Sequence, residues 1–207
     1  MKFNIYYSID FDVDRVLETI NKFEWFKSNN YSVILPKYLD LSDIKKITKE
    51  DVKKVILKEY NEQDYLKQKE YLENNLEKLI LNENIEEKIK STTLVLSKDY
   101  NIYFTKYGVG GSYHLPNKIV ININRCFEFG LLRTIIHEII HLSIQLFVEK
   151  YNINHWTKER LVDLLFDKFA PKINKIQTIS IDTNLIDESF EKNYPNVEKI
   201  ISEIREK

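Results

Sequence analysis

Cysteine is nearly absent from this 207-residue chain, and Cys126 stands alone. A single thiol forms no intramolecular disulfide and builds no thiolate metal cluster within one chain. That usage fits a reducing compartment. Glycine and proline are scarce too, four of each, which points to regular elements and few elaborate loops. Charge of one sign is also missing. The 31 basic and 32 acidic side chains leave a formal net charge of -1. No basic excess advertises nucleic acid, and no single-sign field advertises a membrane. No window approaches 18 consecutive apolar residues, so no membrane span is expected. The start, "MKFNIYYSIDFDVDRV", lacks a long apolar core and carries Asp10, Asp12 and Asp14. It does not read as a secretory signal, and the expected compartment is the cytoplasm.

What remains is a folding composition. The chain is 43% hydrophobic and 13% aromatic, which supports a folded globule over disorder. Its length suits one domain with elaborations. Residues 3–9 are β-branched and aromatic and read as a strand. Residues 12–28 carry Val13, Val16, Leu17, Ile20 and Phe23 at helical spacing. A short strand is expected at 31–35. From Thr48 to Lys90 helix formers dominate, opened by a Thr48–Asp51 capping box. Strands are expected at 92–97, 101–108, around 111–114 and at 118–123, with a tight turn at Pro116–Asn117. A long apolar helix follows at 128–149. A second helix spans 155–169 with Asn154 as N-cap. A short strand at 176–181 and a helix after Pro195 complete the reading. The expected class is α+β, with a small mostly antiparallel sheet and a helical N-terminal lobe. Residues 1–90 form an N-terminal α/β elaboration and that lobe. Residues 91–207 form the functional region.

The chain holds only four histidines, and two of them, His137 and His141, flank Glu138 in "TIIHEIIHLS". They are either ordinary core residues or ligands. On a helix, residues four apart share one face at about 5–6 Å between Cβ atoms. Two imidazoles there reach one ion at Zn–N distances of about 2.0–2.1 Å. Glu138 lies about 100° round the helix from His137, beside an ion rather than on it, which suits a base that takes a proton from metal-activated water. Burying two His and a Glu without partners is expensive, and a metal satisfies all three.

A catalytic zinc usually has three protein ligands. Phe147 stands where the metzincin pattern needs His, and Ile144 where it needs Gly. Farther on, His155, Glu159 and Asp163 share one face of the next helix. A helical hairpin brings either Glu159 or Asp163 level with the histidines, and spacing alone does not choose between them. "HEIIH" followed by "ERLVD" resembles the gluzincins, the thermolysin-like zinc peptidases, in their small single-domain form. The likeness covers residues 108–169, less than a third of the chain. It implies a zincin-like fold and one Zn2+ per chain on His137, His141 and Glu159. It further implies Glu138 as catalytic base and Asp163 bracing His137. In zincin folds an edge strand pairs with the peptide substrate, and "GGSYHL" matches that strand. Gly111, Ser112, Tyr113 and His114 are therefore the substrate-binding candidates. Gluzincins also use a Tyr or His oxyanion donor beyond the motif helix. Tyr151, His155 and Tyr194 are candidates here, and none stands at the matching position.

These readings converge on a zinc peptidase acting on a peptide or protein. The second reading is a non-enzymatic or latent zincin-like protein with a structural or vestigial zinc, holding a partner protein through residues 48–90.

Overall fold

The computed structural model describes residues 1–174, 177, 179 and 181–205, with Lys45 through its backbone alone. Strand β1 (Lys2–Tyr7) leads into α1 (Ile9–Asn21) and α2 (Phe23–Ser28). Ser8 caps α1, its Oγ accepting from the Phe11 amide at 3.2 Å. The single helix expected over 12–28 is two, because the chain leaves helical geometry at Lys22. Helices α3 (Lys49–Glu59), α4 (Glu62–Asn82) and α5 (Ile85–Lys90) follow. The Thr48–Asp51 capping box is present in both directions.

Next come β2 (Asp99–Thr105), β3 (Gly111–His114) and β4 (Lys118–Asn122). Then α6 (Phe129–Lys150) and α7 (His155–Phe169) form a helical hairpin, and α8 (Asn184–Asn193) and α9 (Val197–Glu203) complete the described elements. The fold is α+β.

The sheet has the order β1-β2-β4-β3. β1 pairs with β2 and β2 with β4 in parallel, and only β3–β4 is antiparallel. The expectation of a mostly antiparallel sheet is overturned. The long helical passage between β1 and β2 gives the crossover a parallel pair needs. The chain then passes from β2 to the far edge, makes β3, and returns through a hairpin as β4 beside β2. β3, the "GGSYHL" strand, lies at one edge of the sheet.

Two other strands are missing. At 92–97, Thr92 Oγ1 donates to the Ile89 carbonyl and accepts from the Leu94 amide, so the segment closes α5 instead of extending. Val95 is 79% exposed. At 31–35 there is only an isolated bridge, Ile34 to Gly108. Half of the strand expected at 176–181 (176, 178 and 180) lies outside the described residues.

One core joins the sheet (Ile102, Phe104, Ile119, Ile121) to α4–α5 (Tyr65, Leu72, Leu76, Ile85) and to α6, α7 and α9. The expected boundary at residue 90 therefore divides the chain without dividing its core. A smaller cluster packs α1 on α3 through Val13, Val16, Val52 and Ile56. Helix α6 is long and apolar enough to cross a membrane by length and composition. Yet 67% of its most apolar window is buried in the fold, as in a core helix.

Candidate metal centre and cleft

Helix α6 ends because Asn152 takes a left-handed conformation, φ 51°. The Ile153 amide then reaches back to the Val148 carbonyl at 3.0 Å, closing the last turn. Asn154 caps α7, its Oδ1 accepting from the Thr157 amide at 2.9 Å. This short connection lays α7 back along α6. Arg160 then clamps α7 to α8 through a two-pronged pair with Asp187 at 2.7 and 3.0 Å.

The consequence is a convergence of three side chains. His137 Nε2 and His141 Nε2 lie 3.0 Å apart. Glu159 Oε2 lies 3.5 Å from the first and 3.3 Å from the second. His141 is 2% exposed and Glu159 5%. Tyr113 of β3 stacks on the His141 ring at 4.8 Å and 10°. The Tyr113 hydroxyl donates to Gln145 Oε1 at 2.6 Å and accepts from Lys158 Nζ at 3.0 Å. This fixes the plane against which His141 rests.

Charge inside the site is redistributed. Burial would raise the Glu159 carboxyl, but His141 and His137 hold it well below its ordinary value. Burial lowers His141 to about 4, so it is neutral and its lone pair is available. Burial also lowers His137, but Glu159, Glu138 and Asp163 outweigh that and raise it overall. Burial pushes Glu138 up to about 7, with His137 opposing.

Glu138 is 5% exposed and sits under β3. A Cβ on Gly111 would collide with its carboxylate and with Thr134. Glycine is what lets the edge strand approach the acid. The Asn122 amide donates to the Gly110 carbonyl at 2.8 Å. Pairs in an antiparallel ladder alternate, so the backbone groups of Gly111 and Tyr113 face the open edge of β3. Tyr113 points toward α6. Ser112 and His114 take the opposite face. Burial lowers His114, which senses Glu18, Lys118, Lys22 and Arg15.

The remaining candidates divide. Asp163 accepts from the Gln177 backbone amide at 2.9 Å and side-chain amide at 3.4 Å. No hydrogen bond joins it to His137 among the described residues, so it acts on that ring through charge alone. Tyr151 donates to Glu198 at 3.3 Å and does not line the cleft. Tyr194 packs on Phe190 and is likewise outside it. His155 does line the cleft, with Nδ1 3.7 Å from Glu159 Oε1 and Nε2 2.8 Å from the Tyr31 hydroxyl.

Among the cleft residues that sequence reasoning missed are Tyr31, Arg15 and Lys158. Lys158 adjoins Glu159 and was within reach of a closer reading of "TKERLVD". Tyr31 and Arg15 carry no local signal, since only the fold brings them across. Tyr31 is stacked between Trp25 and Trp156. Burial, then Glu159 and Glu138, raise its pKa, so the hydroxyl keeps its proton. The whole cleft encloses about 640 Å³, the size of a small-ligand or peptide site. Comparison with protein-family models, curated proteins and solved structures finds no match for this chain.

Proposed function

We propose that this protein is a zinc-dependent peptidase with a zincin-like, gluzincin-like catalytic region, acting on a peptide or protein substrate. One observation carries the reading. Four-coordinate zinc with bonds of about 2.0–2.1 Å needs ligand atoms about 3.3–3.4 Å apart. The three separations here are 3.0, 3.3 and 3.5 Å. Two histidines and a carboxylate are also the donor set zinc takes when it keeps a position open for catalysis. The ligands are His137, His141 and Glu159, one Zn2+ per chain.

Zinc held there supplies a Lewis acid that polarises a carbonyl and acidifies water. The chain's own groups do the rest. Gly111 and Tyr113 offer the open edge of β3, and an extended peptide adds to it as a further strand. Glu138, held next to that edge, takes a proton from the attacking water and returns it to the leaving amine nitrogen. The Tyr31 hydroxyl, positioned by His155, donates to the oxygen where negative charge develops. In this reading Tyr31 takes the role for which Tyr151, His155 and Tyr194 were candidates, with His155 as its neighbour.

A second reading, a latent or binding protein, draws on Gln177, whose Nε2 donates to Glu159 Oε2 at 3.3 Å. That amide uses a lone pair of the third ligand. Digestion of a broad peptide library separates the two. Zinc-loaded wild type is expected to cleave, chelation to stop it, and Glu138→Gln to lose about 10²–10⁴-fold in rate while keeping its metal. Zinc bound without any turnover favours the second reading. Equal rates in wild type and Glu138→Gln remove the proposed base.

A further inference from the structure

The cleft carries charge that the proposed chemistry does not use. Setting aside Glu138, Glu159, Asp163 and Lys158, which pairs with Glu159 at 3.8 Å, the charged lining among the described residues is Arg15, Lys22, Arg125 and Arg133 against Glu18. That is four cations to one carboxylate, in a chain whose formal net charge is -1. Glu18 is already committed, because Arg15 Nη1 reaches it at 2.9 Å and Lys22 Nζ at 2.8 Å.

Arg15 is the most telling of the four. It is 4% exposed, yet its Nε and Nη2 have no hydrogen-bond partner among the described residues. Buried guanidinium donors without acceptors are unfavourable, and a carboxylate is the group that matches their fork. Gly108 makes room for this side chain, since a Cβ there would collide with Arg15 Nε. Arg133 stands one helical turn before His137 and makes no hydrogen bond or ion pair among the described residues. It too lines the cleft with its donors unspent.

The edge strand says where an acidic group would meet them. A peptide added to β3 continues the pleat of the sheet, so its side chains alternate between two faces. One face is that of Tyr113, toward α6 and the metal ligands. The other is that of Ser112 and His114, and the charges His114 senses there include Arg15, Lys22 and Glu18. Every second side chain of the bound peptide therefore points at the basic wall.

We infer that the cleft selects an acidic peptide, with an Asp or Glu side chain on the Ser112–His114 face paired with Arg15 and a further acidic residue taken by Arg133. The inference deepens the peptidase reading by naming its substrate class, and it rests on that reading for the word substrate. Binding itself requires no turnover.

The test uses the full chain as zinc-loaded Glu138→Gln protein. Fluorescence anisotropy measures binding of labelled peptide pools in which one position at a time carries Glu, against matched pools carrying Gln. The expected result is a preference for Glu of at least about tenfold at one position or more. Arg15→Gln should abolish the preference at one of these positions, and Arg133→Gln should weaken it at another. Lys54→Gln, on the exposed face of α3, should change nothing. Arg133 lies on a helix surface, so its variant keeps the test decisive where Arg15→Gln fails to fold. Equal binding of Glu and Gln pools overturns the inference. So does a preference untouched by both variants, or a single-stranded DNA of equal length that binds more tightly than the best acidic pool. If wild type then cleaves neutral pools with zinc dependence, the peptidase reading survives without this one. If acidic pools bind and wild type never cleaves, the basic cleft for acidic peptides stands and the peptidase reading falls.

Discussion

The two walls of the cleft were assembled in opposite ways. One wall is the α6–α7 hairpin, where residues 137 to 159 deliver both histidines, Glu138 and Glu159. Its geometry follows from one helical period and one capped turn. The other wall comes from Arg15, Trp25 and Tyr31, joined to the first across great chain distances. The Tyr31–His155 contact spans 124 residues. In the proposed mechanism the first wall supplies the zinc ligands and the base, and the second supplies Tyr31 as donor and Arg15 for recognition, with Arg133 of α6 sharing that last task. The ligand spacing rests on local structure, while most of what faces it is brought there by the fold.

Tyr31→Phe sharpens this contrast most. Its loss should cost about 10²–10³-fold in kcat, with zinc content unchanged, as for removal of an oxyanion donor. Steady-state kinetics read it, and an unchanged kcat would make the second wall a passive cover. Gly111→Ala tests the join between the walls. Its Cβ collides with the Glu138 carboxylate, and displacing the base should cost about 10²-fold in kcat/KM. Metal affinity should hold, because the atoms that Cβ meets first belong to Glu138 and Thr134 and not to a proposed ligand.

Asp12→Asn has the smallest effect and concerns stability alone. Asp12 is buried beneath Tyr65, and burial raises its carboxyl to about 6 despite hydrogen bonds from Tyr65 and the Lys106 amide. The folded state therefore holds this proton more tightly than the unfolded chain. Stability from Asp12 is fully present below its ordinary pKa and is lost as pH rises through about 6. Denaturant titrations at pH 4 and 7 should show wild type losing about 2–3 kcal/mol relative to Asp12→Asn. Parallel pH profiles would contradict the buried charge.

The same contrast explains what could be read in advance. The α6 and α7 spans, the Thr48 and Asn154 caps and the "HEIIH" spacing are local, and they were legible. Helix α8 was not expected, and the single helix expected over 12–28 divides at Lys22. The parallel pairing of β1 with β2 joins Lys2 to Asp99, and no period or turn residue announces it. Segment 92–97 has strand composition, but its threonine serves to close a helix. Tyr151, an oxyanion candidate that stood at no matching position, is turned to Glu198 by the end of α6. Asp163 had the right spacing for His137, and the Gln177 amides reach it instead.

The central claim is that His137, His141 and Glu159 hold one zinc. Metal analysis of the purified protein tests it most directly. Wild type should carry about one zinc per chain, and His137→Ala and Glu159→Ala should carry almost none while remaining folded by circular dichroism. A wild type that stays zinc-free when supplied with the ion, or a His137→Ala protein that binds it fully, would contradict the account.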